Sequence, residues 1–430
     1  MFSKVKNLSL GNKILMGMVL GLVVGLFLNF FVHDPFIKDV ILMDNIFYLG
    51  GTVFIRLMKM LVVPLVLFSI VVGVASISDI RKIGTIGGKT ILIYLLTTAL
   101  AVSIALIIGI TLKPGLGLEL SSVAQTANVT TNQTLTNTII SIIPENPFNS
   151  LANGDMLPVI VFGLLIGIIL ARLKDKTEIV NKFFNEGNTI MMEMTALVMK
   201  FAPIGVFCLM AKTFGGLGVG GLLPLAKFFV CVLIGLAIQG FVVYPSLLVI
   251  FTRLNPIKFF KHFLPVMFFA FSATSSNATI PLNLEKLSEM GVSRDVSSFT
   301  IPLGATINMD GTAIMQGVAV MFAAQAYGID LGLSALLTVV VTAVMASIGT
   351  AGVPSVGLIT LTMVFNSVGL PIQAIGVIFG IDHILDMFRT AVNVSGDAIC
   401  TIIVSFTSKS MDVDVFNGKK EPEETIKDFI

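Results

Sequence analysis

The sequence predicts an all-α polytopic membrane protein, and three observations predict it. Hydrophobic residues make up 55% of the 430 residues and charged residues only 12%, about half the ~25% typical of soluble domains. Mean hydropathy is +0.97. The apolar residues come in runs long enough for the ~20 residues of a bilayer-crossing helix. No soluble core buries that much apolar surface with so few charges to coat it, so a disordered chain, a nucleic-acid-binding protein and an ordinary cytosolic enzyme are poor readings. The net charge of +2 carries no partner information by itself. Cys208, Cys231 and Cys400 sit singly in apolar stretches, with no CxxC pair and no His at ligand spacing, and read as packing residues.

The first apolar run, Ile14 to Val32, follows Lys4, Lys6 and Lys13. It is longer than a signal-peptide core, no small-residue cleavage site follows, and it reads as a retained first span. Further spans are expected at about Asn45 to Ala75, Lys89 to Leu112, Leu157 to Leu173, Val180 to Thr213 and Leu222 to Thr252. Several exceed ~20 residues, which implies tilt or breaks. Lys and Arg cluster at Lys4 to Lys13, Arg81 to Lys89, Arg172 to Lys182, Arg253 to Lys261 and Lys409 to Lys427. The positive-inside rule then places both termini on the cytoplasmic side of a plasma (inner) membrane. Lys113 to Asp155 holds one Lys and no Arg and is rich in Ser, Thr and Asn, as a long external loop would be; its sequons at Asn128 and Asn132 read as chance.

From about Pro256 the pattern changes to hairpin, helix, hairpin, helix. Two apolar stretches are interrupted by small polar residues, from Ser272 to Pro281 and from Ala346 to Gly357. Asn308 and Asp310 follow the first; Asp382, Asp386, Arg389, Asn393 and Asp397 follow the second. Non-helical backbone at membrane depth persists only where protein or water satisfies it. Paired interruptions in corresponding halves point to a transporter's site built on an inverted repeat. The plainer alternative is two polar connections that only pack. At 100° per residue the five polar residues of the last span fall within about 80° of one face. Facing lipid, its three Asp and one Arg would cost about 12 kcal/mol against about 5 returned by its branched and aromatic residues. This face must therefore meet protein or water. Arg389 pairing with Asp386 would serve a purely structural role, yet Asp310, Asp382, Asp386 and Asp397 against Arg389 still leave a formal charge of −3, which calls for cations, protons or a ligand amine.

Asn, Thr, carboxylate and helix-end carbonyl oxygens are hard ligands suited to sodium. Arg389 offers a planar fork for a carboxylate, and Asp386, one turn away, accepts from an ammonium; together they suit an acidic amino acid. Hairpin tips add backbone amides at half-helix starts, which favour an anionic group. No Walker A loop or HExxH motif appears, so ATP-driven pumping and metalloenzyme chemistry lack support, and no prosthetic cofactor is expected. His33, His262 and His383 read as interfacial or packed. An ion channel is the rival of a different class; an intramembrane enzyme using an Asp pair is disfavoured by Arg389 beside it.

The runs Asn308-Met-Asp-Gly-Thr312, Ala346-Ser-Ile-Gly-Thr-Ala-Gly-Val-Pro354 and Asp386-Met-Phe-Arg-Thr-Ala-Val-Asn393 resemble the signature stretches of the dicarboxylate/amino acid:cation symporter family, which includes the excitatory amino acid transporters and prokaryotic aspartate and glutamate transporters. That resemblance implies eight membrane helices plus two re-entrant hairpins in a homotrimer. Scaffold spans 1 and 2 would occupy residues 1–75, and the external loop with scaffold spans 4 and 5 residues 114–215. The moving transport domain would hold span 3 (76–113), span 6 (216–253), hairpin 1 and span 7 (254–328), and hairpin 2 and span 8 (329–410), with a cytoplasmic tail at 411–430.

Carried over by position, the resemblance assigns substrate contacts to Ser275, Ser276, Met309, Thr312, Gly352, Val353 and Ser355. Asp386 would take the amino group, Arg389 the side-chain carboxylate, and Thr390 and Asn393 polar contacts. It implies sodium ligands Gly304, Asn308, Asn393 and Asp397 at one site; Thr306, Ser347, Ile348 and Thr350 at a second; and Tyr94, Thr97, Thr98, Asn308 and Asp310 at a third. Thr274 and Met387 stand where some members carry an auxiliary arginine, Gln316 where potassium-exchanging members carry glutamate, and Ser355 where some carry glycine. The expected activity is sodium-driven import of L-aspartate or L-glutamate by an elevator-type movement, with proton coupling, or a cystine or C4-dicarboxylate substrate, as alternatives.

Overall fold

A computed structural model describes residues 10–32, 34, 36–75, 86–118, 140, 143–348 and 356–421. These are helical nearly throughout, with one isolated antiparallel bridge, Val292 to Met411, among them. Five helical stretches of the described residues are long and apolar enough to cross a membrane, and a sixth if one bent pair counts as a single span.

The first half supplies α1 (Leu10–Phe31), a π-helical entry (Phe36–Phe47) into α2 (Tyr48–Ala75), α3 (Ile86–Leu112), the short α4 (Pro147–Asn153), α5 (Met156–Leu173), α6 (Glu178–Met199) and α7 (Ala202–Leu217). Asn146 caps α4 by accepting from the amides of Phe148 and Asn149. The stretch expected as one span from Val180 to Thr213 is two helices bent by 50°. Pro203, in the first turn of α7, lacks the N–H and the room to continue α6, so the chain turns there. The sequons and most of the expected external loop lie outside the described residues.

α1 packs along α7, and α2 packs on α5, α6 and α7. The first contact is close because Gly17, Gly21 and Gly25 recur every four residues on one face of α1. A methyl at any of them would run into the backbone of Pro203, Phe207 or Ala211, which is how small residues let membrane helices approach.

The second half begins with α8 (Leu222–Ile238), a π turn (Gln239–Val243) and α9 (Tyr244–Thr252). Pro245, in the first turn of α9, has no amide to donate back to Phe241, and the wider turn absorbs that loss. Next come α10 (Pro256–Ala273) and α11 (Ser276–Glu289), which pack on each other across a two-residue break where Thr274 is left-handed (φ 48°) and Ser275 caps α11. α12 (Arg294–Ile307) and α13 (Asp310–Ala326) are separated by the non-helical pair Asn308 and Met309. α14 (Leu333–Ser347) and α15 (Val356–Ser367) flank residues 349–355, which lie outside the described residues. α16 (Ala374–Thr407) runs 34 residues, about 51 Å at 1.5 Å per residue, and the short α17 (Val413–Phe416) follows.

α16 is the axis of this half. It packs on α8, α9, α10, α12 and α13, while α3 packs on α8, α13 and α14. Most of the crossing stretch of α16 is buried and most of that of α1 is not, in keeping with a polar helix face that lipid cannot accept.

Candidate functional site

Breaking a helix in a buried place leaves amides, carbonyls and short side chains without their usual partners, and this chain does so beside its buried charges. Asn308, Met309 and Asp310 are all under 5% exposed. The break between α12 and α13 faces α3 on one side and α16 on the other. From α3, the Thr98 hydroxyl donates to Asp310 Oδ1 at 2.6 Å and the Thr97 hydroxyl to Asn308 Oδ1 at 3.3 Å. Tyr94 donates to the carbonyl of Thr300 at 3.0 Å. From α16, Asp397 Oδ1 accepts from Asn308 Nδ2 at 2.8 Å, and Asn393 Oδ1 accepts from the amide of Gly311 at 2.7 Å. Asn393 Nδ2 reaches the Met309 sulfur at 3.4 Å. Gly304 lies where a methyl would sit 2.6 Å from Asp397 Oδ1 and 2.7 Å from the Tyr94 hydroxyl, so its missing side chain makes room for both. The first and third expected cation sets thus share one buried neighbourhood.

The second set comes together in part. Ser347, at the end of α14, donates to the carbonyl of Ile307 at 2.9 Å, and Ile348 is buried in a cluster with Tyr94, Leu303 and Ile307. Thr306 turns its hydroxyl to the carbonyl of Leu303 at 3.0 Å. Thr350 lies outside the described residues, as do the expected substrate contacts Gly352, Val353 and Ser355.

On the same face of α16, one turn or more away, Arg389 is fully buried between two carboxylates, with Nη1 2.8 Å from Asp382 and Nη2 2.8 Å from Asp386. The two pairs differ. The Asp386 contact is an aligned hydrogen bond; the Asp382 contact is a charge contact in which, among the described residues, neither Nη1 nor either Asp382 oxygen has an aligned partner, and Nε has none either. Nη1 keeps its ion-pair contact with Asp382, whereas Nε is a buried donor with no acceptor among the described residues, a cost of about 1–3 kcal/mol, and the guanidinium therefore retains donor capacity for an incoming acceptor. Thr312, in the first turn of α13, and Gly357, in the first turn of α15, close around it: a methyl at Gly357 would lie 3.0 Å from Thr312 Cγ2 and 3.2 Å from Arg389 Nη1. Thr390 donates to the carbonyl of Asp386 at 2.8 Å. At the other tip, Ser276 is buried and Ser275 accepts from the amide of Ala278. Phe271 sets this tip against α16 by an edge-on contact with Phe388, 5.0 Å between ring centres.

Two residues escaped the sequence reading. Gln239 and Tyr244, both fully buried, donate to Asp310 Oδ2 at 3.0 and 2.8 Å. The available signal was a lone amide in the apolar run from Leu222 to Thr252. Asp382 was read as one of the polar face and is here a direct neighbour of Arg389. Two buried carboxylates, Asp382 and Asp386, flank the guanidinium and two more, Asp310 and Asp397, are buried around the helix break, a formal charge of −3 in all, among hard oxygen donors fit for small cations and beside a fork fit for a carboxylate.

Comparison with known proteins agrees with this chemistry. Residues 10–407 match the family model described as the sodium:dicarboxylate symporter family. The chain is similar to a proton/sodium-glutamate symport protein of Geobacillus stearothermophilus, 37% identical over 83% of this chain and 86% of the relative. It is similar to a proton/glutamate-aspartate symporter of Escherichia coli, 34% identical over 92% of each. It is also 32% identical to a C4-dicarboxylate transport protein of Cupriavidus necator, over 86% of this chain and 88% of that one.

Proposed function

We propose, from the premise that the chain belongs to the sodium:dicarboxylate symporter family, that it is a sodium-coupled importer of L-aspartate or L-glutamate. It is a multi-pass membrane transporter and not an enzyme. The observation that carries the substrate reading is Arg389, buried between Asp382 and Asp386 with Nε and Nη1 lacking aligned acceptors among the described residues. A side-chain carboxylate supplies those acceptors, and Asp386 can take the ammonium group, which favours an amino acid over a plain dicarboxylate. Ser275, Ser276, Met309, Thr312, Thr390 and Asn393, with Gly352, Val353 and Ser355 of the second tip, would complete the substrate's surroundings.

Sodium is cargo in this reading. Gly304, Asn308, Asn393 and Asp397 would hold one ion, Tyr94, Thr97, Thr98, Asn308 and Asp310 another, and Thr306, Ser347, Ile348 and Thr350 a third. Cations and substrate offset each other's charge in one low-dielectric region, so each binds more tightly with the other present. Reciprocal coupling of this kind is what a symporter needs to avoid moving half-loaded.

The fold in this reading is eight spans and two re-entrant hairpins, α10 with α11 and α14 with α15, in a homotrimer with both termini cytoplasmic. The packing of α1, α2, α5, α6 and α7 on one another supports a scaffold, and the packing of α3 and α8 to α16 around the buried site supports a domain that moves as a unit. Hairpin 2, whose α15 begins over Arg389, would close on the loaded site.

The test is uptake of radiolabelled L-aspartate into proteoliposomes under an inward sodium gradient, with potassium and proton gradients as controls. Sodium-driven accumulation that glutamate competes away is expected. Uptake driven by protons alone would remove the sodium assignments, and no aspartate uptake under any gradient would move the substrate to cystine or a C4-dicarboxylate. Gly304→Ala tests the first cation set: overpacking costs about 1–3 kcal/mol, relieved by displacing Asp397, so the sodium needed for half-maximal uptake should rise about tenfold. An unchanged sodium requirement would take Asp397 out of that set.

A further inference from the structure

We infer that the π turn at Gln239–Val243 is a positioning device for the cation site at Asp310, with Gln239 and Tyr244 as its working residues. The inference rests on the reading of Asp310 as a sodium ligand. In an α-helix, residues five apart point about 140° away from each other. Here the amide of Tyr244 bonds the carbonyl of Gln239 across five residues. This wider turn stacks the two side chains, and both reach the same carboxylate oxygen, Asp310 Oδ2, at 3.0 and 2.8 Å. Single π turns inside α-helices recur at functional sites.

A purely structural role explains the arrangement poorly. Gln239 is completely buried, its Nε2 is spent on Asp310, and its Oε1 has no hydrogen-bond partner among the described residues. Packing alone would be better served by an apolar side chain of that length. What the amide provides is a donor aimed at Asp310, and the tyrosine hydroxyl provides a second.

The other oxygen, Oδ1, faces α3 and accepts from Thr98. For a cation to be held there, the Thr98 hydroxyl must turn its lone pairs inward and give up its bond to Asp310. The two donors of the π turn then become what holds the carboxylate in place. Groups that orient a metal ligand from behind set ion affinity about 10- to 100-fold.

The experiment is sodium titration of thermal unfolding in purified protein without substrate, at constant ionic strength with choline chloride, since a bound ion stabilises the fold in proportion to its occupancy. Tyr244→Phe removes only the hydroxyl, and Gln239→Met keeps the length and removes the amide. Both are expected to raise the sodium concentration at half-effect by about tenfold or more, with aspartate affinity at saturating sodium changed far less. A lower unfolding temperature in choline with an unmoved sodium midpoint in both variants would overturn the inference and leave the sodium reading standing. If the wild-type protein shows no sodium-specific shift, the sodium reading itself fails and the inference falls with it.

Discussion

Alanine in place of Arg389 is expected to abolish saturable uptake of acidic amino acids while the protein still inserts and assembles. Arg389 is the cation that faces Asp382 and Asp386, each at 2.8 Å. Without it a substrate carboxylate would meet two carboxylates in a region closed to water. Removing one partner of a buried charge pair costs about 3–5 kcal/mol, which if borne by the bound state is a loss of about 10²- to 10⁴-fold in affinity. Lysine should not rescue, because it presents a point charge where a planar fork spans two carboxylates and the substrate. A neutral amino acid, which needs no such fork, should lose far less, so uptake curves for aspartate and for serine or alanine measured side by side separate a substrate role from general damage. Unchanged aspartate transport would remove Arg389 from the site. Asp382→Asn is the companion variant: it keeps the shape, lowers the negative charge behind the guanidinium, and should change aspartate affinity without changing the preference for acidic substrates.

Asp310→Asn is expected to leave the fold intact and eliminate sodium binding at its site. The structural half follows from Gln239. An asparagine amide would turn a donor towards span 6, and the Gln239 oxygen, without a partner among the described residues, can rotate to accept it. The Tyr244 hydroxyl can accept as easily as donate. The buried charge disappears, while the turned Gln239 exchanges an unpartnered Oε1 for an unpartnered Nε2, so thermal stability in choline should be equal or higher through the lost charge alone. The functional half follows from charge: a neutral amide in place of a carboxylate at a buried cation site forfeits the main attraction for the ion. Sodium dependence of uptake should weaken by about 100-fold or more. Unfolding in choline and sodium-dependent stabilisation, measured on the same sample, should move in opposite directions. Retained sodium affinity would exclude Asp310 as a ligand.

The difference between these two sites also explains what could be read from the chain alone. The polar face of α16 was legible because Asp382, Asp386, Arg389, Asn393 and Asp397 recur at helical spacing, and all five are at most 7% exposed. The tip at Thr274 was legible because small polar residues interrupt an apolar run, whereas Asn308 and Asp310 were legible as buried polar residues but the helix break between α12 and α13 was not. The Gln239 and Tyr244 contacts were not legible, since helical periodicity puts those residues on different faces of the sixth span. The break between α6 and α7 had a visible cause in Pro203, but a proline can kink a span or end one, and packing chooses.

Composition and local periodicity by themselves determined that this chain is a membrane protein, that its last long helix hides a charged face, and that its final third is built of interrupted helices. These are properties of a segment in its solvent, and one segment's residues suffice to compute them. Only the tertiary structure decided that Asp382 shares Arg389, that Gly304 yields its side-chain space to Asp397 and Tyr94, and that Gln239 and Tyr244 meet Asp310 from 71 and 66 residues away. Such meetings depend on how separate helices pack and on one π turn that breaks the helical period, and neither is written in the hydrophobic pattern of any single span.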